Sequence, residues 1–325
     1  MSEVRIGFVG AGGNARGHMK RLSEIDGVQI VAIADIDEQR SQEAAAEYGA
    51  KSYTDYHKML DEVELDALYV SVPPFAHEDA ELLAARGGLH LFVEKPVVLD
   101  LDLGREIAKA IDDAGVVSCV GYQLRLLDST QRARKYLSDK TVAMVASRRW
   151  GPLPKNLWWR KMEQSGGQLV EQTTHQVDLM RYIMQDEIVE VFAWYALRTM
   201  GDVEQFDIPD TECALFKFAS GALGTISTSP MLNKGSGRGE LEFLLRDHVL
   251  SWTPNGNNLE PPDDEDVAAE PQPTPNIDQA FVAAVLAKDP ALSPCTYRDG
   301  LQTCAVTLAC NESAEKGEPV RVPLV

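Results

Sequence analysis

The sequence predicts an α/β domain built on a parallel sheet, followed by an α+β domain whose sheet is largely antiparallel. Three observations carry this. Apolar strand-like runs alternate with amphipathic helical runs over the first 122 residues, the pattern of a parallel sheet with helices on both faces. The first of these runs leads straight into a glycine turn, Gly10-Ala11-Gly12-Gly13-Asn14-Ala15. Beyond residue 123 strand signals follow one another, several with hairpin-like glycines between them. The domains are therefore placed at 1–122 and 123–325, with the last helix able to pack back on the first domain.

Residues 4–9 read as a buried strand, 16–25 as a helix and 28–34 as a second strand ending at Asp35. Gly10 permits the tight turn, Gly12 lets backbone approach a pyrophosphate, and the small Ala15 lets helix and strand pack closely. The helix N-terminus offers unpaired N–H groups and the positive end of the helix dipole to the phosphates. Asp35 is placed to accept hydrogen bonds from an adenosine ribose, and its charge repels a 2′-phosphate. A methyl-donor cofactor can use the same glycine loop and acid, so the loop alone indicates a nucleotide without naming it.

Helices follow at 37–48, 56–60, 77–86 and 103–114, and strands at 65–72, 89–93 and 116–120. Three clusters fall at strand carboxyl ends, where such sheets bind ligands: Ser71-Val72-Pro73-Pro74, Glu94-Lys95-Pro96 and Gly121-Tyr122-Gln123. In the second domain 125–137 reads as helix. Residues 142–149, 188–198, 211–218, 223–228, 239–245 and 249–252 read as strands, 253–276 as a flexible loop rich in Pro, Asn and acid, and 277–287 and 299–314 as closing helices.

Composition narrows the function classes. With 31 Lys+Arg against 50 Asp+Glu the net charge is −19, which disfavours nucleic acid and anionic membrane as partners. No run approaches the ~18 apolar residues of a membrane span. The chain passes from Met1 directly into a strand, leaving no room for a signal peptide. Five cysteines, odd in number and without a CxxC pair, argue for reduced thiols and a cytoplasmic location, and against a zinc site.

Two constellations carry chemistry. Lys95 lies just past a buried strand, where an ammonium can stabilise developing alkoxide character on a substrate oxygen; the alternative is a surface Glu–Lys pair. In Gly166-Gly167-Gln168-Leu169-Val170-Glu171-Gln172-Thr173-Thr174-His175, Glu171 and His175 are four apart and share one face if the segment is a single helix, with Asp178 a turn further on. His175 beside a carboxylate suits proton transfer near neutral pH. An incidental polar face and, more remotely, a metal site are the competing readings; no HExxH arrangement or neighbouring Cys supports the metal. Trp158-Trp159-Arg160 suits either a ligand pocket or ordinary packing.

The combination of GAGGNARGH, VAIAD, SVPPFAH, EKP, GYQLR and SGGQLVEQTTHQVDLMRYIM resembles the Gfo/Idh/MocA family of nicotinamide-dependent sugar and polyol oxidoreductases, and the ending YRDGLQTCAVTLACNESAEKGEPVRV extends the likeness over nearly the whole chain. The resemblance implies a Rossmann domain followed by an α+β domain whose open sheet mediates dimers or tetramers. It implies Lys95 as the catalytic lysine, His175 as proton acceptor and Glu171 in the place of the usual Asp. Gly10, Gly12, Asn14, Ala15, Asp35, Ser71, Pro73, His77, Glu94 and Gln123 match cofactor-contacting positions, and Trp159 and Arg160 match a segment near the nicotinamide in some relatives. Thr173 stands where a Gly is common. The expected activity is hydride transfer between NAD, with NADP disfavoured by Asp35, and a CH–OH carbon of a sugar or inositol-like polyol. A glycosidase using bound NAD for transient oxidation and a non-catalytic nicotinamide-sensing regulator are the alternatives.

Overall fold

The computed structural model describes residues 3–264 and 266–325 in two compact units. Met1, Ser2 and Glu265, the last within the acidic stretch read as loop, lie outside the described residues. The first unit comprises the residues up to Gly121 together with Pro275–Leu301; the second comprises Tyr122–Thr274 and Gln302–Val325.

The first unit is wound on a six-stranded parallel sheet. In chain order its elements are β1 (Val4–Val9), α1 (Gly13–Leu22), β2 (Val28–Ala34), α2 (Glu38–Tyr48), β3 (Lys51–Tyr53), α3 (Tyr56–Glu62), β4 (Ala67–Val70), α4 (Ala80–Arg86), β5 (His90–Val93), α5 (Leu101–Ala114) and β6 (Ser118–Val120). The strand order is β3-β2-β1-β4-β5-β6, so the winding reverses between β1 and β4. That switch point is where a parallel sheet opens a crevice at its carboxyl edge. Strand β3, not among the strands expected from the sequence, pairs with β2 through three residues at the sheet edge. The chain before α4 forms a short 3-10 turn, Pro74–Ala76, so the helix expected from residue 77 starts at Ala80. Helix starts follow local chemistry: the side chains of Asp37, Asp55 and Asp100 each accept a hydrogen bond from a first-turn N–H.

The second unit holds an eight-stranded sheet in the order β13-β12-β11-β7-β10-β9-β8-β14. Its elements are α6 (Asp128–Leu137), β7 (Met144–Trp150), α7 (Met162–Ser165), α8 (Gln168–Glu171), α9 (Thr174–Met184), β8 (Ile188–Ala196), β9 (Thr211–Phe218), β10 (Leu223–Ser229), β11 (Arg238–Leu244), β12 (Val249–Thr253) and β13 (Gly256–Glu260). All neighbours are antiparallel except β7 and β10, which run parallel. The loop expected over 253–276 contains β13, an edge strand whose Gly256-Asn257-Asn258-Leu259-Glu260 lacks the alternation that marks a half-buried strand.

After the second sheet the chain supplies α10 (Ile277–Ala287) to the first unit. Asn276 starts it with a capping box closed by Gln279. Helix α11 (Tyr297–Lys316) begins in the first unit and belongs to the second from Gln302 onward, and β14 (Val320–Arg321) closes the edge beside β8.

Helix α10 completes the interior of the first unit. Phe8, Tyr69 and Phe92, from β1, β4 and β5, stack in a row at centroid separations of 4.8 and 4.5 Å, and Phe281 meets Tyr69 and Phe92 edge-on. Beside them His18 of α1 is clamped between two acids, with Nδ1 2.6 Å from Asp278 Oδ1 and Nε2 2.8 Å from Glu94 Oε1. Asp278 also accepts from Arg21 Nε at 2.5 Å and from the Tyr69 hydroxyl at 3.2 Å. Burial opposes charge on His18, but the hydrogen bonds to Asp278 and Glu94 outweigh it and push its pKa up to about 9.

A raised histidine pKa stabilises the fold below the unfolded value of ~6.5 and ceases to do so as pH rises through the folded one. Thermal unfolding followed from pH 6 to pH 10 is expected to show a loss of about 3 kcal/mol from this source. The His18→Gln protein should melt lower at pH 6 and lack that part of the decline. An identical pH dependence in the two proteins would contradict the charged clamp.

Candidate functional site

The residues expected from the sequence to form the site fall in both units. In the first, they gather at the β1–β4 switch point. Gly10 follows β1 with φ +100°, and a Cβ there would lie 2.4 Å from the Ser71 carbonyl oxygen and 2.8 Å from Val72. Only glycine fits that close approach. Gly12 and Gly13 have open space where side chains would stand. The N–H groups of Gly13, Asn14 and Ala15 start α1, and its first helical bond is Arg16 N–H to Gly12 O at 2.9 Å. Ala15 is fully buried, as the close helix–sheet packing requires.

Asp35 ends β2 against this loop. Its Oδ2 accepts the Ala11 N–H at 2.8 Å and its Oδ1 the Asp37 N–H at 2.9 Å. Arg40 reaches Asp35 at 3.4 Å and Asp37 at 3.1 Å, so its charge is already matched by two carboxylates. Ser71 Oγ is buried without a hydrogen-bond partner among the described residues. Pro73 leads into the 3-10 turn, and His77 is buried with Nε2 3.1 Å from the Val72 carbonyl and Nδ1 2.6 Å from Glu81. A glycine cradle with open space, an unsatisfied hydroxyl and an acid at the second strand end fit a dinucleotide.

Lys95 follows β5 by two residues, and its peptide bond to Pro96 is cis. Glu94 is 8% exposed and spends Oε1 on His18 and Oε2 on the Lys95 N–H at 3.2 Å. A Cβ on Gly121 would lie 2.7 Å from Glu94 Oε1, so a glycine is needed beside this carboxylate. Glu94 is therefore part of the interior, while Lys95 beside it is half-buried.

In the second unit, Glu171 and His175 are not on one helix. Helix α8 ends at Glu171, Gln172 and Thr173 intervene, and α9 starts at Thr174. Gly167, with φ +90°, starts α8, and the Thr173 N–H bonds back to Gln168 O at 3.0 Å. The Thr173 hydroxyl lies 2.6 Å from that of Thr228, which donates to Arg149 O. The residue standing where a Gly is common thus ties the break between the helices to β10 and β7. Glu171 and His175 are both buried, at 4% and 8% exposure. The His175 and Tyr122 rings stand perpendicular with centroids 5.7 Å apart, and the hydroxyls of Tyr122 and Thr174 are hydrogen-bonded at 2.7 Å.

Asp178 is committed elsewhere. Arg125 grips it with two bonds, Nε to Oδ2 at 2.8 Å and Nη2 to Oδ1 at 2.6 Å, and Thr303 donates to it at 3.1 Å. Gln123 opens the 3-10 turn that carries Arg125 and is exposed. Trp159 and Arg160 sit on a further 3-10 turn, Leu157–Arg160, where the rings of Trp158 and Trp159 stack at 5.8 Å and Arg160 donates to Pro154 O at 2.9 Å.

Sequence reasoning missed Glu212. It lies on the buried face of β9, 2% exposed, and burial pushes its pKa up to about 8. The N–H groups of Leu169 and Gln168, at the start of α8, face it and partly counter the rise, though they do not close into hydrogen bonds of normal geometry. The sequence signal was available: an acid on the face that Ala214, Phe216 and Phe218 bury.

Among the described residues there is no group of three or more His, Cys, Asp or Glu that could hold a metal ion, and no helix long and apolar enough to cross a membrane.

Residues 4–122 match the GFO_IDH_MocA oxidoreductase family, described as an NAD-binding Rossmann fold, and residues 137–245 match the GFO/IDH/MocA C-terminal domain. The myo-inositol 2-dehydrogenase of Thermotoga maritima is 30% identical over 233 residues, covering 70% of this chain and 68% of the relative. The inositol 2-dehydrogenase of Rhizobium meliloti is 28% identical over 238 residues, 70% of this chain and 68% of the relative. The WlbA dehydrogenase of Bordetella pertussis, solved with NADH and UDP-GlcNAcA, superposes with a TM-score of 0.85 over 99% of this chain and 100% of that one, at 23% identity.

Two substitutions test this geometry. Gly10→Ala is expected to destabilise the first unit by at least about 2 kcal/mol and to abolish NADH binding, read by calorimetry and thermal melting. Glu212→Gln removes a group that folding must keep protonated. It should stabilise the protein by about 3 kcal/mol at pH 7, with the gain vanishing below about pH 4.5; a loss of stability at pH 7 would refute the neutral buried acid.

Proposed function

The chain belongs to the GFO/IDH/MocA oxidoreductase family, and from that premise we propose that it is an NAD-dependent oxidoreductase acting on a CH–OH carbon of a sugar, inositol-like polyol or related compound. The observation that carries this reading is the switch point of the first unit, where a glycine cradle and Asp35 share one sheet edge with Lys95. The inositol dehydrogenases among its relatives support the substrate class.

NAD, when bound, supplies the hydride acceptor. Gly10, Gly12, Asn14 and Ala15 hold the pyrophosphate on the start of α1, with Ser71 and Pro73 lining the same edge. Asp35 holds the adenosine ribose, and with Asp37 it repels the extra phosphate of NADP; Arg40, matched by both acids, does not invite it. In the oxidative direction His175 takes the hydroxyl proton as the C–H electron pair departs. Lys95 stabilises the oxygen as it gains alkoxide character, and Glu171 orients a neighbouring hydroxyl. Glu94 and His77 in the first unit, and Gln123, Trp159 and Arg160 in the second, are cofactor-contacting residues in the same reading. Of these, Glu94 and His77 act by holding the backbone around them.

The open face of the second sheet exposes Trp194, Leu215, Leu223 and Leu244, an apolar stripe that suits a second copy of the chain. A homodimer or homotetramer built on it, working in the cytoplasm with its five cysteines reduced, completes the proposal.

A sugar and polyol panel with NAD and with NADP, followed by the absorbance of the reduced cofactor, tests the activity. Turnover is expected with NAD in preference to NADP. Lys95→Ala should lower kcat by about 10²–10⁴-fold while leaving NADH binding nearly unchanged. Undiminished turnover in that variant would overturn the assigned mechanism.

A further inference from the structure

Arg148 and Arg149 are neighbours on β7 and so point to opposite faces of the sheet. Arg148, on the open face, is paired with Glu240 at 2.7 Å. Arg149 faces the helices, is half-buried and has no hydrogen bond or ion pair to its guanidinium among the described residues. Other inward-turned arginines of this unit have partners: Arg125 with Asp178, Arg132 with Asp128, Arg181 with Glu187, and Arg160 with a carbonyl. Burial alone lowers the Arg149 pKa, with no acid nearby to raise it, and an arginine remains charged under such a shift.

The group next to it is also unsatisfied. A Cβ on Gly239 would lie 3.8 Å from Gln176 Nε2 and 4.0 Å from Arg149 Cδ, so the two side chains converge over that glycine. Gln176 is 4% exposed and its Oε1 is buried with no partner. It follows His175 in the first turn of α9, and the Arg149 carbonyl is tied through Thr228 to Thr173, just before that helix. On its other side the guanidinium packs over Gly151, where a Cβ would come within 2.6 Å of Nη1. An unpaired cation therefore lies beside Gln176, the residue that follows His175 in the chain, in a protein whose net charge of −19 repels anions at long range.

We propose that Arg149, with Gln176 beside it, recognises an anionic group on the substrate, a carboxylate or a phosphate, so that the preferred substrate is an acidic sugar or polyol derivative and not a neutral one. The planar guanidinium fork matches either oxyanion in a two-bond geometry and regains on binding what its burial cost. The proposal rests on the oxidoreductase reading of the same site.

The test measures binding in the presence of NADH, by calorimetry, for a panel of hexuronates, aldonates, hexose phosphates and inositol phosphates, each against its neutral parent. At least one anion is expected to bind roughly 10- to 100-fold more tightly than its parent, and the carboxylate and phosphate arms show which oxyanion is read. Arg149→Gln should remove that preference and Arg149→Lys should keep part of it, with thermal melting to verify folding; Gln176→Leu serves as a second variant that weakens it. Neutral parents binding as well as their anions, no anion binding at all, or a preference unchanged in Arg149→Gln would each overturn the proposal. Arg149-dependent anion binding without any NADH formation would remove the oxidoreductase reading alone. NADH formation from neutral compounds only, unaltered in Arg149→Gln, would remove this one alone.

Discussion

Taking a charged group out of water without a partner costs several kcal/mol, and each unit is organised around one cluster that avoids that cost. In the first, His18 joins Asp278 to Glu94 and so links α1, α10 and the strand end that presents Lys95. In the second, Arg125, Asp178, Thr303, Arg181 and Glu187 form a chain of bonds that fixes α9, and with it His175. The side chains to which the proposed reaction is assigned are thus held in place by ion pairs around them.

Against this background the two exceptions in the second unit are informative. Glu212 solves the problem of burial by keeping its proton, since burial has moved its pKa above neutrality. Arg149 has no such route, because a guanidinium does not give up its proton in this pH range. One exception is stable in isolation and the other asks for a counter-charge from outside the chain.

The parts of the fold that were legible in the sequence are those whose cause is local. The run from Val4 to Asp35 declares itself because strand, turn, helix cap and acid follow one another within a few tens of residues. The break between α8 and α9 was hidden, since the four-residue spacing of Glu171 and His175 fits one helix as well as two. Edge strands β3 and β13 were missed because one is only three residues long and the other polar throughout most of its length. The salt bridge between His18 and Asp278 spans 260 positions, and pairing over that distance leaves no periodic trace in a single chain. Glu212 and Arg149 were different: each is a charged residue on the inward face of an alternating strand, a signal that one sequence does contain.

The first unit is built from two separated stretches of chain, and this fixes when it can be finished during synthesis. Its first 121 residues contain the whole parallel sheet, but Phe281, which covers Tyr69 and Phe92, and Asp278, which with Glu94 answers the charge of His18, arrive only after strands β7 to β13 of the second sheet have been made. The usual order, in which an N-terminal domain folds before the next emerges, is closed to it. Until α10 leaves the ribosome, the nascent sheet carries an uncovered aromatic row and His18 has Glu94 but not Asp278 as its acid, so the unit that holds the glycine cradle is completed only after most of the second unit has been made.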